Sequence, residues 1–376
     1  MTDLDQILPL WQELRRTGTE YVLATVVAVE GSGYRKPGAR MLIAADGRRA
    51  GTISGGCLET EVVRKAGWMV REGAVVERYS TMFDDTADVP FGLGCGGVVD
   101  LLMEPVDTPE CRALMVAMDG SLRGEQTTVL TWLPREGRGL ARAVLAGSGD
   151  FTFASERLTE WELVVARRGV LQQDKIRGAD DGVFVERMAT PQRLFVLGAG
   201  DDAKPLVSMA ALLGWGVTVA DGRSQLAKAE RFPEAERVVV LDGSYELGIC
   251  SEDAVVLMTH SYEQDRELLA AVLPVAPRYF GLLGARHRSA LLVSEAAVMM
   301  GSSVAKCCER LYAPVGLDLG GDGPEAIALA VVAEAQACCM GKLGSSRRLS
   351  PEDVARHLKE GGGERYLQMQ CGLETA

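Results

Sequence analysis

The 376-residue chain lacks several features that would have fixed its class at once. No apolar run approaches the roughly 20 residues that span a bilayer. The longest helical candidate is interrupted by Glu325 and Glu334, which excludes a transmembrane role. The first residues, MTDLDQILPL, carry neither the basic start nor the apolar core of a secretion signal. Nine cysteines are an odd number without framework spacing, which points to free thiols in a reducing, cytoplasmic setting rather than to a disulfide scaffold. Positive charge is in deficit: 40 Lys and Arg stand against 52 Asp and Glu, a net charge of -12. Such a surface repels nucleic-acid backbones and anionic lipid, so neither nucleic acid nor membrane is expected as a partner. An anionic ligand has to be caught locally, by backbone N–H groups or a few arginines. No internal repeat is present.

What remains is a chain built to fold. Hydrophobic residues make up 47% and charged residues 24%, inside the range of soluble globular proteins. The length is about twice that of a usual domain, so two domains are expected. After an amphipathic N-terminal helix, YVLATVVAVEG reads as a buried strand, and RMLIAADGRRAGTIS as a hairpin turning at Asp46–Gly47. CLETEVVRKAGWMVREG has helical spacing, AVVERYS and VVDLLMEP read as strands, and the glycine-rich FGLGCGG lies between them. A middle segment, about 106–190, mixes one helical pattern with strands such as TTVLTWL and RAVLAG and carries no chemical motif; it is expected to complete the first domain's sheet. From Arg193 strands alternate with helices, which predicts a parallel sheet wrapped by helices. The fold class is therefore α/β, a C-terminal Rossmann-like doubly wound sheet plus an N-terminal α/β domain, with expected boundaries at 1–190, 191–345 and a polar tail at 346–376.

Three constellations bear on chemistry. The first is VLGAGDDA, in which Gly198-x-Gly200 follows a strand and opens a helix, with Asp221 ending the next strand. Gly198 permits the tight turn, and Gly200 lets a phosphate approach the helix N-terminus. Asp201 and Asp202 stand where a pyrophosphate would lie, so use of NAD(P) is not expected. The second is a pair of glycine–cysteine turns, SGGCLE with Gly55, Gly56 and Cys57, and GLGCGG with Gly94, Cys95 and Gly96. Successive N–H groups in such turns form an anion nest, and a thiol at a helix start has its pKa lowered, which favours nucleophilicity or a soft metal. Either cysteine could equally be a small buried residue, and Glu59 in the first turn of the helix could be a dipole-favoured surface acid. The third gathers polar residues at strand ends: His260, Arg286, Arg288 and Asp318. The arginines suit a phosphate, and His260 could polarise a ligand or anchor its own turn. Cys307–Cys308 and Cys338–Cys339 lack Cys-x-x-Cys spacing and argue against zinc.

Taken in order, ATVVAVEGSGYRKPGARMLI, GTISGGCLE, GCGGVVDLLMEP, LFVLGAGDDAKPLVSMAALLGWGVTVAD, VVLMTHSYEQD, YFGLLGARHR and PVGLDLGGDGPEAIALAVVAEAQA resemble the xanthine dehydrogenase accessory proteins of the XdhC/CoxI type. The resemblance implies a molybdenum cofactor-binding chaperone, an accessory protein rather than a catalyst. Such a protein assists cofactor sulfuration with a cysteine desulfurase and inserts the cofactor into an apo molybdenum hydroxylase of the xanthine dehydrogenase type. It further implies a molybdopterin cargo, mononucleotide or dinucleotide, held between the two domains. Gly55, Gly56, Cys57, Glu59, Gly94, Cys95, Gly96, Gly198, Gly200, Asp221, His260, Arg286 and Arg288 become the cofactor-binding candidates, with Cys57 or Cys95 near the metal. Many relatives have histidine where this chain has Asp201. A homodimer is expected from the long apolar last helix. An NAD(P)-dependent oxidoreductase and a scaffold for the apo-hydroxylase without cofactor are the alternatives.

Overall fold

The computed structural model describes residues 3–31, 35–56, 58–80, 97–171, 182–243 and 247–344. Cys57, Gly94, Cys95, Gly96 and the tail lie outside the described residues. Fourteen strands and nine α-helices occur among the described residues. The chain divides into two compact units, 1–244 and 245–376.

The first unit begins with α1 (Asp3–Thr17), β1 (Tyr21–Glu30), β2 (Arg40–Ala44), β3 (Arg49–Gly51), α2 (Glu59–Met69), β4 (Val75–Ser80) and β5 (Val98–Pro105). The strands form one antiparallel sheet in the order β3-β2-β1-β5-β4. The nearly unbroken apolar run of β1 is explained by its central place. Val22, Ala24 and Val26 face the cluster that α2 closes with Leu58, Val62 and Ala66, while Leu23 faces α1 through Ile7, Trp11 and Leu14. Gly47 adopts φ 89°, as the Asp-Gly hairpin requires.

The middle segment does not complete this sheet. Its elements are α3 (Pro109–Leu122), β6 (Thr127–Trp132), β7 (Ala141–Ala146), β8 (Phe151–Ala154), α4 (Glu160–Leu171) and β9 (Val183–Arg187), and the strands form a separate antiparallel sheet, β8-β7-β6-β9. The reason is α3, which the Thr108 side chain and Pro109 start in register. Leu114, Met115 and Met118 of this helix share one core with Leu23 and Leu42 of the first sheet and Val129 and Val144 of the second, so the helix fills the space a joined sheet would need. Two arginine–carboxylate pairs join the sheets. Arg142 meets Glu104 at 3.0 and 3.1 Å, both fully buried, and also donates to Glu110 O at 2.8 Å and Thr131 Oγ1 at 3.1 Å. Arg40 grips both oxygens of Glu186 at 2.5 and 2.6 Å.

The C-terminal sheet comprises β10 (Arg193–Leu197), β11 (Gly216–Asp221), β12 (Arg237–Val240), β13 (Ala254–Leu257) and β14 (Tyr279–Leu282), in the order β12-β11-β10-β13-β14. The pairs β10–β11, β11–β12 and β13–β14 are parallel, as the strand–helix alternation predicted. The Rossmann-like class holds. Its helices are α5 (Ala203–Leu212), α6 (Tyr262–Val272), α7 (Arg286–Met299), α8 (Val304–Cys308) and α9 (Pro324–Cys339). The last helix starts at Pro324 and is followed by Gly341 at φ 61°, both as read from sequence. Among the described residues no helix is long and apolar enough to cross a membrane.

Candidate functional site

The turn from β3 into α2 is organised by two polar side chains, the Glu59 carboxylate and the Ser54 hydroxyl. Glu59, at the first position of α2 and 5% exposed, accepts hydrogen bonds from Ile53 N–H at 3.3 Å and Ser54 N–H at 2.9 Å, and from the Ser54 hydroxyl. Ser54 Oγ in turn accepts from Gly56 N–H at 3.3 Å and Leu58 N–H at 3.1 Å. Burial raises the Glu59 pKa, but the donors from Ser54 and Ile53 outweigh it and hold the carboxyl below its ordinary value. The inward-facing N–H groups of the expected anion nest are thus already occupied by the chain's own serine and glutamate. Gly55 and Gly56 face solvent; Gly56 has φ 109° and open space where a Cβ would stand. The result is a braced turn whose outer face at Gly55 and Gly56 is bare backbone.

At the β10–α5 turn Gly198 takes φ 134° and donates to Ala220 O at 2.8 Å, while Gly200 lies just before the helix. Asp221, at the end of β11, is fully buried. Its Oδ1 accepts from Arg223 N at 2.8 Å and Nε at 2.9 Å, and its Oδ2 from Ala199 N and Arg223 Nη2, both at 2.7 Å. Burial pushes its pKa up, but the Arg223 and Ala199 donors prevail and hold it below its ordinary value. Four donors fill four lone-pair positions, so none remains for a ribose hydroxyl. Asp201 is held in front of the turn by Lys204 at 2.7 Å and Arg231 at 2.8 Å.

In the second unit, His260 follows β13 and is exposed, in a left-handed conformation with φ 62°. Beneath it Asp265, fully buried, accepts from Thr259 N at 3.2 Å and Thr259 Oγ1 at 2.5 Å. Arg288 reaches the same carboxylate at 2.6 Å and lies over the Tyr262 ring at 5.9 Å. The structure therefore brings Arg288 and the His260 turn together through Asp265, while Arg286 is exposed at the first position of α7.

Ser54, Arg223, Thr259 and Asp265 carry these turns and were not legible in the sequence. Their signals were short polar spacings, Ser54 to Glu59, Asp221 to Arg223 and Thr259 to Asp265, which have no meaning until the turns are folded. Among the described residues no group of three His, Cys, Asp or Glu is arranged to hold a metal ion. Cys307 is buried and Cys308 exposed, side chains that point apart as their adjacency implied.

Comparison with known proteins bears on the whole chain. Residues 194–335 match the family model described as the XdhC Rossmann domain, and residues 14–80 match that of the XdhC and CoxI family. The chain is 30% identical, over 84% of its length and 92% of the relative's, to a Bacillus subtilis protein named as a probable subunit of xanthine dehydrogenase. It is 25% identical to the molybdenum cofactor insertion chaperone PaoD of Escherichia coli, over 87% of this chain and 86% of that one. A crystal structure described as a xanthine dehydrogenase from Bacillus halodurans superposes with a TM-score of 0.74 at 29% identity, covering 94% of this chain and 99% of the other.

Proposed function

The chain belongs to the XdhC and CoxI family, and from that premise we propose that it is a molybdenum cofactor chaperone serving a molybdenum hydroxylase. In the finer reading it binds the molybdopterin cargo, assists its sulfuration with a cysteine desulfurase, and inserts it into an apo-hydroxylase of the xanthine dehydrogenase type in the cytoplasm. The observation that carries this reading over an NAD(P)-dependent oxidoreductase is Asp221. The carboxylate that would bind a nucleotide ribose is closed off by Arg223 and Ala199, leaving a Rossmann-like domain with a poor redox-nucleotide site. The named PaoD relative supports cargo handling in its place.

The cargo has a soft, metal-bearing dithiolene end and a hard phosphate end. We assign the soft end to the sequences Gly55–Gly56–Cys57 and Gly94–Cys95–Gly96, with Glu59 acting behind the turn at Gly55 and Gly56 rather than on the cargo. Gly198, Gly200 and Asp221 shape the nucleotide-type turn, and His260, Arg286 and Arg288 face the phosphate end. The domain division at 190/191 and a homodimer belong to the same reading.

The test is to express the protein in a molybdenum-competent host and measure the oxidised pterin fluorescence released on denaturation. A carrier yields near-stoichiometric pterin that falls sharply in Cys57→Ala or Cys95→Ala. Protein that purifies without pterin, and serves the hydroxylase equally well with both cysteines replaced, would make it a scaffold.

A further inference from the structure

The middle segment holds none of the residues used above, yet part of one face of its sheet is left uncovered. Helix α3 shares a core with Val129 of β6 and Val144 of β7. Four strands about 4.8 Å apart make a face wider than the roughly 10 Å of a single helix, so room is left beside α3 over β7 and β8. A groove of about 550 Å³ runs there. Ala113 and Val116 of α3 form one wall, and Val144 of β7 with Phe153 of β8 forms the floor. Val116 is 56% exposed, a branched apolar side chain left in water. The two ends of the groove differ in charge. Arg112 stands near the start of α3, while Glu125 stands at the far end beside Gly120, eight positions beyond Arg112 and so about 12 Å along the helix axis. Both charges are held loosely: Arg112 meets the fully exposed Asp107 at 3.6 Å and Glu125 meets Arg123 at 3.4 Å, every one of these side chains at least half exposed.

Shape and charge together select the occupant. A small molecule is ordinarily enclosed over roughly 70–90% of its surface, whereas this groove is half open to solvent. An amphipathic helix buries only one face, and a half-open trough alongside another helix fits it. A helix is stabilised by acid in its first turn and base in its last. Its N-terminus therefore belongs at Arg112 and its C-terminus at Glu125, which lays it parallel to α3. The 12 Å between the two charges spans about two turns, so an acid at position i and a base at i+7 reach them, with apolar side chains at i+3 and i+4 against Val116 and Phe153. We infer that the groove beside α3 is a docking site for an amphipathic helix of a partner protein, with the pattern acid-x-x-apolar-apolar-x-x-base. The site uses none of the residues assigned to the cargo and goes beyond the reading of the preceding subsection. Burial of the apolar wall supplies the attraction, and the exposed charges set the direction of the docked helix more than its affinity.

The probe is a fluorescein-labelled peptide of about 14 residues, some 21 Å as a helix, with Glu, Leu, Leu and Lys at i, i+3, i+4 and i+7. A lactam staple on its outer face keeps it helical, so that a failure to bind is not a failure to fold. A second probe exchanges the Glu and the Lys. Both are titrated by fluorescence anisotropy into the full-length chain, into Val116→Asp, and into the double variant Arg112→Glu with Glu125→Lys. All three replaced residues are exposed, and thermal unfolding midpoints matching wild type verify that the variants are folded. Saturable binding of the first probe to wild type is expected, weakened at least tenfold in Val116→Asp. The second probe should bind wild type about fivefold more weakly, and the double variant should invert that preference. No saturable binding to wild type, undiminished binding to Val116→Asp, or a preference that is absent in wild type or survives the double reversal overturns the inference. Either rival occupant overturns it as well. A wild-type dimer that Val116→Asp dissociates in sedimentation, with no probe bound, gives the groove to a second copy of the chain. Saturable binding of the dye 1-anilinonaphthalene-8-sulfonate that Val116→Asp abolishes, again with no peptide bound, gives it to a small molecule.

Discussion

Replacing Glu59 by alanine separates a brace from a ligand contact. Its carboxylate satisfies Ile53 N–H, which is buried, and two donors of Ser54, which are partly buried. Orphaning the Ile53 donor costs about 1–3 kcal/mol, and the Ser54 donors, which can turn to water, about 0.5 kcal/mol each. Losing a carboxylate at a helix start adds roughly 0.5 kcal/mol, and freeing the site of a buried charge returns about 1 kcal/mol. The local stability of the turn should therefore fall by about 1.5–3.5 kcal/mol. Hydrogen–deuterium exchange reads this without assuming that the whole chain unfolds in one step. Protection of the peptide spanning residues 50–60 should drop roughly 10- to 400-fold, with Glu59→Gln intermediate because one carbonyl oxygen remains. The pH dependence has a definite sign. The folded-state pKa lies below the ordinary 4.5, so the stabilisation is fully present above that value and is lost as pH falls through the lowered one. Unchanged protection in Glu59→Ala together with loss of bound pterin would refute the brace and make Glu59 a direct ligand contact.

Two further outcomes test the frame around the site. Asp221→Asn removes the charge that holds Arg223 and the Ala199 N–H, and should raise exchange at residues 198–203 by at least tenfold, while wild type titrated calorimetrically with NAD(P) gives no saturable heat. Glu104→Gln strands the Arg142 guanidinium in the core at 1% exposure and should lower stability by about 3–5 kcal/mol in urea unfolding, whereas the paired change Glu104→Leu with Arg142→Met recovers most of the loss.

How far the sequence led depended on the range of the interactions. The β1 run, the Asp46–Gly47 hairpin and the limits of α9 are written in neighbouring residues, and the structure places them where local chemistry put them. The separate sheet formed by β6 to β9 was not legible. The local pattern of its strands does not assign them to one sheet or the other, and the decision rests on α3 lodging between them and on Arg142 finding Glu104, a partner 38 positions away. Helix α7 was hidden differently. Leu291, Val298 and Met299 are exposed while Leu292, Val293, Ala296 and Ala297 are buried, so no clean apolar stripe marks it. At the site, Gly56 and Gly198 were readable because positive φ demands glycine. The acceptors that fix their turns were not, because a buried carboxylate and a surface one look alike in a string of letters.

The backbone at residue 260 has the shape a glycine would adopt freely, yet a histidine occupies it. Holding an L-residue there costs on the order of 1–2 kcal/mol, a load carried by the firm anchorage of Thr259 and Asp265 beneath it. The residue is exposed to solvent just beyond the end of β13. Exchanging it for glycine would remove that cost while widening the backbone freedom of the unfolded chain, so the two effects largely offset one another in stability.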